Sequence, residues 1–315
     1  MQTSSSRVVV AALIGNGLIA ITKFVASVMT GSSAMLSEAI HSLVDATNQG
    51  LLLYGLKKSR QPADERHPFG YGRELYFWAF IVAILIFGAG GGFSIYEGIN
   101  KLFHPHPITN PIINYVVLGL AIIFEGVAWY VAFKEFVKSK GKLSWLQAVQ
   151  ESKDPTIFTV LFEDSAAMLG LIIASIGIWV STSLGFVYGD AIASIAIGLI
   201  LVITASFLAY EGKSLLIGEG AHPDQVAAIR KLIQEDENIL VINELLTLHA
   251  GPDDILLTVS VDFKDGLDSG EVEGCISRME QRIKAAVPRI QKIFIEAQSF
   301  SGHWEDKAKN QPDLV

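Results

Sequence analysis

Six stretches of mostly apolar residues follow one another along the first two thirds of the chain. A helix needs about 20 such residues to cross a bilayer, and the stretches that reach this length are 7–30, 34–56, 74–101, 112–136, 156–181 and 188–211. Short segments with turn residues, such as Gly31-Ser-Ser33, separate them. The pattern predicts six transmembrane helices, called spans one to six. We interpret the first as an uncleaved span and not as a signal peptide.

Beyond residue 212 the apolar runs give way to shorter, amphipathic elements. We predict helices over 224–234 and 269–287, and strands over 240–249, 255–263 and 291–297. The order αββαβ predicts a ferredoxin-like α+β fold, with both helices on one face of a three-stranded sheet. The predicted domains are a six-helix transmembrane domain (1–212), a cytoplasmic α+β domain (213–300) and a polar tail (301–315).

Basic residues are concentrated in two of the connections between spans. The second connection contains Lys57, Lys58, Arg60, Arg66 and Arg73, and the fourth contains Lys134, Lys138, Lys140, Lys142 and Lys153. The odd-numbered connections have Lys101 alone. Because positively charged loops stay on the cytoplasmic side, we predict that both termini are cytoplasmic. The expected location is the lipid bilayer of a bacterial inner (plasma) membrane.

The composition agrees with a membrane protein and narrows the choice of partners. Hydrophobic residues make up 50% of the chain and charged residues 18%. The chain has 32 acidic against 24 basic residues, an excess that argues against nucleic acid as a partner. Its single cysteine, Cys275, excludes an internal disulfide and a cysteine-based zinc site.

The clearest chemical signal is a pair of ionisable residues inside span two. His41 and Asp45 are one helical turn apart and share a helix face. Ionisable residues at bilayer depth are costly and usually functional, and an imidazole with a carboxylate is a typical ligand pair for a divalent metal. Span five contributes Glu163 and Asp164, which point about 100° apart on a helix. The pattern predicts a metal site within the membrane.

Other polar residues at membrane depth have milder interpretations. Glu38 shares the face of His41 and is either an entry ligand at the outer mouth or a helix-end charge. Lys23 in span one either reaches the membrane surface or pairs with a carboxylate. Glu125 in span four is interpreted as an interhelical hydrogen-bond partner, with a ligand role as the alternative.

Several motifs resemble the cation diffusion facilitator family of metal/proton antiporters. They are Ser37-Glu-Ala-Ile-His41-Ser-Leu-Val-Asp45, Gln61-Pro-Ala-Asp-Glu-Arg-His-Pro-Phe-Gly-Tyr-Gly-Arg-Glu74, Tyr188-Gly-Asp190 and Leu215-Leu-Ile-Gly-Glu219. The last one and the Phe-Glu-Asp-Ser sequence of span five are most similar to the zinc transporter 9-like branch. The resemblance implies efflux of a divalent metal, Zn²⁺ first, by proton antiport with alternating access. It further implies a homodimer formed through the cytoplasmic domain, and no enzymatic activity.

The resemblance also implies a ligand set. In the family, a pair on span two meets a pair on span five, which corresponds here to His41 and Asp45 facing Asp164. The position of the fourth ligand falls on Val160, which cannot bind metal. Glu163, water or Asn48 is then the fourth ligand. This harder ligand set accepts Mn²⁺, Fe²⁺ or Co²⁺ as well as zinc.

Two further family sites are only partly present. Asp64 and His67 match a site in the loop between spans two and three, but Tyr71 replaces a later histidine; the alternative is a solvated basic loop. In the cytoplasmic domain the ligand positions correspond to Asn243, Ser260, Glu296 and Gln298. We interpret His249 and Asp253-Asp254 as parts of a solvated turn, and we expect little or no metal binding in this domain.

Arg73 and Glu219 flank the cytoplasmic ends of spans three and six, and we predict that they form a salt bridge.

A transporter is not the only function that the sequence allows. Val160 and the depleted cytoplasmic site are compatible with a membrane-anchored scaffold or regulator that has lost transport. Metal binding within the membrane distinguishes a transporter from such a scaffold.

Overall fold

Six long helical segments occupy the N-terminal part of the computed structural model, which describes residues 2–141, 143–145, 148–149 and 152–310. The segments are α1 (Gln2–Thr30), α2 (Ser33–Ser59), α3 (Glu74–Leu85) with its continuation α4 (Phe93–Phe103), α5 (Pro111–Lys140), α6 (Pro155–Ser183) and α7 (Gly189–Ile217). A π-helical turn, Ile86–Gly92, joins α3 to α4. Each predicted span lies on one of these segments.

Four segments are long and apolar enough to cross a membrane. They are Glu74–Phe103, Pro111–Lys138, Phe158–Ser183 and Gly189–Ile217. In α1 the apolar helix within the described residues is the shorter stretch Asn16–Thr30. Helix α2 falls outside this group because ionisable residues such as His41 and Asp45 interrupt its apolar sequence. The structure therefore supports a helical membrane domain with four apolar helices, and the number of six spans stays a prediction.

The chain divides into two compact units. The first contains the residues up to Lys58 together with Glu74–Lys213, and the second contains Ser59–Arg73 together with the chain from Ser214 onwards. The connection between α2 and α3 thus lies in the second unit, although the predicted boundaries assign it to the membrane domain. Within this unit Lys292 Nζ donates to the Pro68 carbonyl at 3.3 Å, and the rings of Phe69 and Phe294 are 6.4 Å apart.

Helices α3–α4 and α7 approach each other closely at glycines. A Cβ atom added at Gly198 would lie 2.6 Å from Ile95 Cγ1 and 2.7 Å from the Gly91 carbonyl oxygen. Gly98 faces Ala191 and Ile195 in the same way. Small residues let helix backbones pack directly against each other in membranes, where burial from water gives little driving force. The glycines of span three therefore serve helix packing.

Replacing Gly198 with alanine is expected to destabilise the membrane unit. The added methyl group meets backbone atoms that cannot move away, and such overpacking typically costs about 1–3 kcal/mol. Gly119→Ala on α5 is the matched control, because a Cβ at Gly119 has no atom within 4 Å among the described residues. The measurement is denaturant or thermal unfolding of the detergent-solubilised protein. Equal stability of the two variants would contradict the packing argument.

The second unit consists of a small sheet with helices. Its elements are α8 (Pro223–Gln234), β1 (Ile239–Gly251), β2 (Asp254–Phe263), α9 (Ser269–Ala286), β3 (Ile290–Ala297) and α10 (Phe300–Asn310). Strand β2 is central, antiparallel to β1 and parallel to β3. Residues Ile229 of α8 and Ile283 of α9 pack with Leu257 and Val259 in one buried core. The predicted elements are present in the predicted order, and the ferredoxin-like classification stays a prediction.

Helix α10 occupies residues that were predicted to form a polar tail. The Phe300 amide donates to Asp262 at 2.9 Å, and His303 is buried with Nδ1 3.0 Å from Gln298 Oε1. Lys307 Nζ pairs with Glu244 of β1 at 3.2 Å. These contacts hold the helix against the sheet, so the segment predicted as a polar tail begins with a helix. Residues 311–315 lie outside the described residues.

The turn after β1 also differs from expectation at one residue. His249 is only 2% exposed, and its Nδ1 lies 3.2 Å from the Gly251 carbonyl. The interpretation of His249 as part of a solvated turn was therefore wrong, because the imidazole lies inside the strand end. Burial raises the pKa of the neighbouring Asp254, partly offset by Lys292 and His249. Asp253 is exposed.

Candidate metal centre

The polar residues of α2 lie along one buried face of the helix. Glu38, His41 and Asn48 are fully or almost fully buried, and their successive spacings of three and seven residues place them together on a helix surface. The helix is anchored at its start by Asp190 of α7, which accepts hydrogen bonds from the Ser33 amide at 2.6 Å and the Ser33 hydroxyl at 2.9 Å. This anchoring sets which face of α2 points into the helix bundle.

The face meets α6 at Asp45, where two carboxyl groups come into contact. The side chains of Asp45 and Glu163 are within hydrogen-bonding distance of each other, and Asn48 Nδ2 donates to Glu163 Oε1 at 2.5 Å. His41 Nε2 lies 3.4 Å from Asp45 Oδ2. Two carboxylates in contact repel each other unless a proton or a cation lies between them. This arrangement is suited to exchanging a proton for a cation.

Several polar atoms at this point have no hydrogen-bond partner in the described part of the chain. They are both ring nitrogens of His41, Asp45 Oδ1 and Asn48 Oδ1. Buried polar atoms are nearly always paired, and each exception calls for an explanation. A nitrogen ligand together with carboxylate and amide oxygens fits a divalent cation of intermediate hardness. The donor set is therefore chemically compatible with a transported metal ion.

The structure brings together only part of the predicted ligand set. Within the described ranges, no group of three or more His, Cys, Asp or Glu side chains is close enough to hold one metal ion. Glu163 contacts Asp45 directly, whereas Asp164 lies beside it within electrostatic range of Asp45. The rotation of α6 thus presents Glu163 to α2. The assignment of His41, Asp45, Glu163 and Asp164 as ligands stays a prediction.

The accessory residues have more definite positions. Glu38 is 0% exposed, and its carboxylate pairs with Lys23 of α1 at 3.1 Å. The burial and the pairing with Lys23 favour a structural charge, and a role as entry ligand stays a prediction. In the second unit, Arg73 lies close to Gly218, the residue before Glu219: a Cβ atom added at Gly218 would be 3.3 Å from Arg73 Nη2. The salt bridge between Arg73 and Glu219 stays a prediction.

The predicted loop site forms a compact turn. The Asp64 carboxylate accepts hydrogen bonds from the Tyr71 hydroxyl at 2.6 Å and from the amides of His67 at 2.7 Å and Arg66 at 3.0 Å. These donors, the Tyr71 hydroxyl first, lower the pKa of Asp64. His67 Nδ1 lies 3.5 Å from Asp64 Oδ1. Tyr71, which replaces the histidine of the family pattern, therefore stabilises the ionised carboxylate, and metal binding here stays a prediction.

Three of the four family ligand positions in the second unit contact each other. Asn243 Nδ2 donates to the Gln298 carbonyl at 2.8 Å and to the Ser260 hydroxyl at 3.4 Å. Amide and hydroxyl groups bind transition metals poorly in comparison with histidine and carboxylate. Weak or absent metal binding in this unit stays a prediction.

Two buried charge clusters extend beyond what the sequence predicted. Lys23 was expected to pair with a carboxylate or to reach the surface, and it pairs with both Glu38 and Glu125. Lys101 was expected only as a loop charge, but it is buried and pairs with Asp190 at 2.7 Å. Charges at membrane depth were the available signal. Which charges pair could not be deduced, because the partners lie on different helices.

Comparison with known proteins adds independent information. Residues 9–217 match the family model described as the cation efflux transmembrane domain. The chain is 36% identical over 260 residues to the proton-coupled zinc antiporter SLC30A9, mitochondrial, of Homo sapiens, covering 82% of this chain and 46% of that protein. It is 28% identical over 335 residues to metal tolerance protein C4 of Arabidopsis thaliana, covering 93% and 73%. It is 26% identical over 284 residues to the cation-efflux pump FieF of Cronobacter sakazakii, covering 90% and 89%.

These matches differ in how much of each relative they include. The chain spans about half the length of the SLC30A9 proteins it matches, at 46%, and most of the bacterial pump, at 89%. The predicted resemblance to a cation efflux family, near its zinc transporter 9-like branch, is confirmed. The relatives are transporters and not enzymes, as predicted.

Proposed function

The chain belongs to the cation efflux family of integral membrane transporters, and on this premise we propose that it exports a divalent metal ion in exchange for protons. Zn²⁺ is the first candidate. The observation that supports the proposal most strongly is the buried contact between Asp45 of α2 and Glu163 of α6. This contact joins two helices through groups that hold either protons or a metal ion.

The exchange follows from competition for the same ligand atoms. Metal ligands must be deprotonated, so an arriving cation releases protons from Asp45, Glu163 and, where it is charged, His41. On the opposite side of the membrane protons reoccupy these groups and release the metal. The helices alternate between states that open the site to either side.

The choice of metal rests on ligand chemistry and on the relatives. One imidazole with two carboxylates and an amide oxygen is harder than a site with two histidines, and it accepts Mn²⁺, Fe²⁺ and Co²⁺ as well as Zn²⁺. The printed name of SLC30A9 describes a proton-coupled zinc antiporter, which favours zinc. We therefore rank zinc first and the other three metals second.

Location and assembly are part of the same proposal. The similarity to a bacterial pump over 90% of this chain supports a bacterial inner membrane with cytoplasmic termini, whereas the SLC30A9 name specifies mitochondria. We also propose a homodimer formed through the second unit. Exposed apolar side chains on its sheet, Leu240, Leu246 and Phe294, are available for such an interface.

A non-transporting scaffold is the competing function. Val160 at a ligand position favours it, as does the lack of a group of three ligand residues within the described ranges. A scaffold binds no metal in its membrane unit. The transporter binds about one metal ion per protomer there and loses it at low pH, because protons compete for the ligands.

A metal-resolved transport assay tests the proposal. Purified protein in liposomes is given an outward or inward pH gradient, and the fluxes of Zn²⁺, Mn²⁺, Fe²⁺, Co²⁺ and Cd²⁺ are recorded together with internal pH. We expect metal movement against the proton movement, fastest with zinc, and absent from protein-free liposomes. Collapse of the pH gradient by a proton ionophore removes the driving force. If no metal moves and none binds, the scaffold interpretation is correct.

A further inference from the structure

A second charged cluster lies inside the helix bundle, apart from the contact of Asp45 with Glu163. The Lys23 ammonium on α1 donates to Glu38 Oε2 on α2 at 3.1 Å, to Ser42 Oγ at 2.8 Å and to Glu125 Oε1 on α5 at 2.7 Å. Lys23 and Glu38 are both 0% exposed. Three helices are thus joined by one buried ammonium group.

The hydrogen bonds of this cluster leave two carboxylate oxygens without a partner among the described residues. A lysine ammonium has three N–H donors, and all three are used by Glu38, Ser42 and Glu125. Glu38 Oε1 and Glu125 Oε2 are buried and have no hydrogen-bond partner in the described residues. Glu38 Oε1 faces the backbone of α6 at Gly170, where an added Cβ would contact it.

The charges of the cluster do not balance without a further cation. One ammonium and two ionised carboxylates sum to one negative charge. A buried charge without a compensating partner is strongly destabilising, as in a buried ion pair that has lost one of its members. One proton on either carboxyl group makes the cluster neutral. Protonation turns one of the unpaired oxygen acceptors into a donor. The charge count thus calls for a single proton.

The cluster is placed to respond to a metal ion. Lys23 interacts electrostatically with His41, and Glu125 with Asp45 and Asp164. The Glu125 side chain is partly exposed, at 17%, whereas Lys23 and Glu38 are fully buried. The titratable groups that interact with the cluster are His41 and Asp45 on α2 and Asp164 on α6. A divalent ion added among these groups favours loss of a positive charge nearby.

We propose that Lys23, Glu38 and Glu125 form a proton-binding site separate from the metal ligands, and that its proton leaves when a metal ion binds at Asp45. This inference rests on the proposed transport function. Lys23 holds the two carboxyl groups on either side of one ammonium, at 3.1 Å from Glu38 Oε2 and 2.7 Å from Glu125 Oε1. The step is a simple ionisation, in which a carboxylic acid becomes a carboxylate and a proton is released. Each exported metal ion is then exchanged for one proton more than its own ligands release.

The test uses amide variants of the full-length protein. Glu38→Gln and Glu125→Gln each leave one ammonium with one carboxylate, so the cluster is neutral without a proton. Glu135→Gln on the exposed part of α5 is the matched control. Infrared spectra of the metal-free, detergent-solubilised protein at neutral pH are compared with the wild type. We expect both cluster variants, and not the control, to lose the C=O band of one protonated carboxylic acid.

The second measurement is the number of protons moved per Zn²⁺ in liposomes. We expect both cluster variants to move about one proton fewer per metal ion, because the proton of the cluster no longer exchanges. The control retains the wild-type ratio. The dependence of zinc flux on an imposed membrane potential should also change in the cluster variants, since the net charge moved per cycle differs by one.

Each outcome decides the inference. An unchanged carboxylic-acid band in both cluster variants overturns the proton-binding site, whether or not the protein transports metal. A lost band with an unchanged proton ratio overturns release on metal binding. If Glu38→Gln does not fold, Glu125→Gln carries the test because its side chain is partly exposed. If the wild type moves no metal, the proposed function fails, while the infrared comparison still decides whether the site holds a proton.

Discussion

Replacing Asp45 with asparagine is expected to abolish metal-coupled proton movement. Asp45 is the point at which α2 touches Glu163 of α6 and His41 of its own helix. Loss of even a supporting residue typically costs a metal site 10- to 100-fold in affinity or activity, so loss of this carboxylate should reduce flux by about 100-fold or more. The measurement is Zn²⁺-dependent proton flux in liposomes, with folding checked by size-exclusion chromatography.

The same assay ranks the two carboxylates of α6. Glu163 contacts Asp45 directly, whereas Asp164 interacts with Asp45 only electrostatically. The variants Glu163→Gln and Asp164→Asn are therefore compared directly. Glu135→Gln controls for loss of a carboxylate on an exposed helix surface. Wild-type flux in the Asp45 variant would remove α2 from the site. Wild-type flux in both α6 variants would remove α6 from it.

Replacing Asp190 with alanine is expected to be the most destabilising single change in the membrane unit. The buried carboxylate accepts hydrogen bonds from Ser32 Oγ at 2.5 Å and the Ser33 amide at 2.6 Å, and it pairs with Lys101 Nζ at 2.7 Å. Breaking a buried ion pair by removing one partner costs about 3–5 kcal/mol, because the other charge is left buried. The measurement is denaturant unfolding of the detergent-solubilised protein.

Lys101→Met is the informative comparison for that variant. Without Lys101, the Asp190 carboxylate retains its hydroxyl and amide donors, whereas without Asp190 the ammonium retains only the Gly31 carbonyl at 2.6 Å among the described contacts. The loss of stability should therefore be smaller for Lys101→Met. A larger loss for Lys101→Met, or wild-type stability of Asp190→Ala, would show that Asp190 does not anchor the start of α2.

The positions of the elements follow from local sequence patterns. Long apolar runs predicted where helices lie, and the αββαβ order of the second unit was predicted from amphipathic periodicity. The order of apolar and polar residues sets these features because each depends only on neighbours along the chain. The segment after residue 300 is the exception: its residues are polar, and contacts such as Lys307 with Glu244 keep them in a helix.

The site itself was predictable only in part, for a physical reason. His41 and Asp45 are one turn apart on one helix, so their shared face was already evident from spacing. Glu163 and Asp164 are adjacent, and the rotation of α6 decides which of them faces α2. That rotation depends on packing along the whole helix, including close approaches such as that of Gly170 to Glu38.

The sequence alone determined that this chain is a helical membrane protein with a small α+β unit, a His–Asp pair one turn apart in an apolar segment and the motifs of a metal transporter family. The tertiary structure decided which charges meet. Lys23 joins Glu38 and Glu125 across separations of 15 and 102 residues, and Asp190 anchors Ser33 across 157. Contacts between helices depend on how the helices rotate and pack, and that arrangement results from the folded chain as a whole.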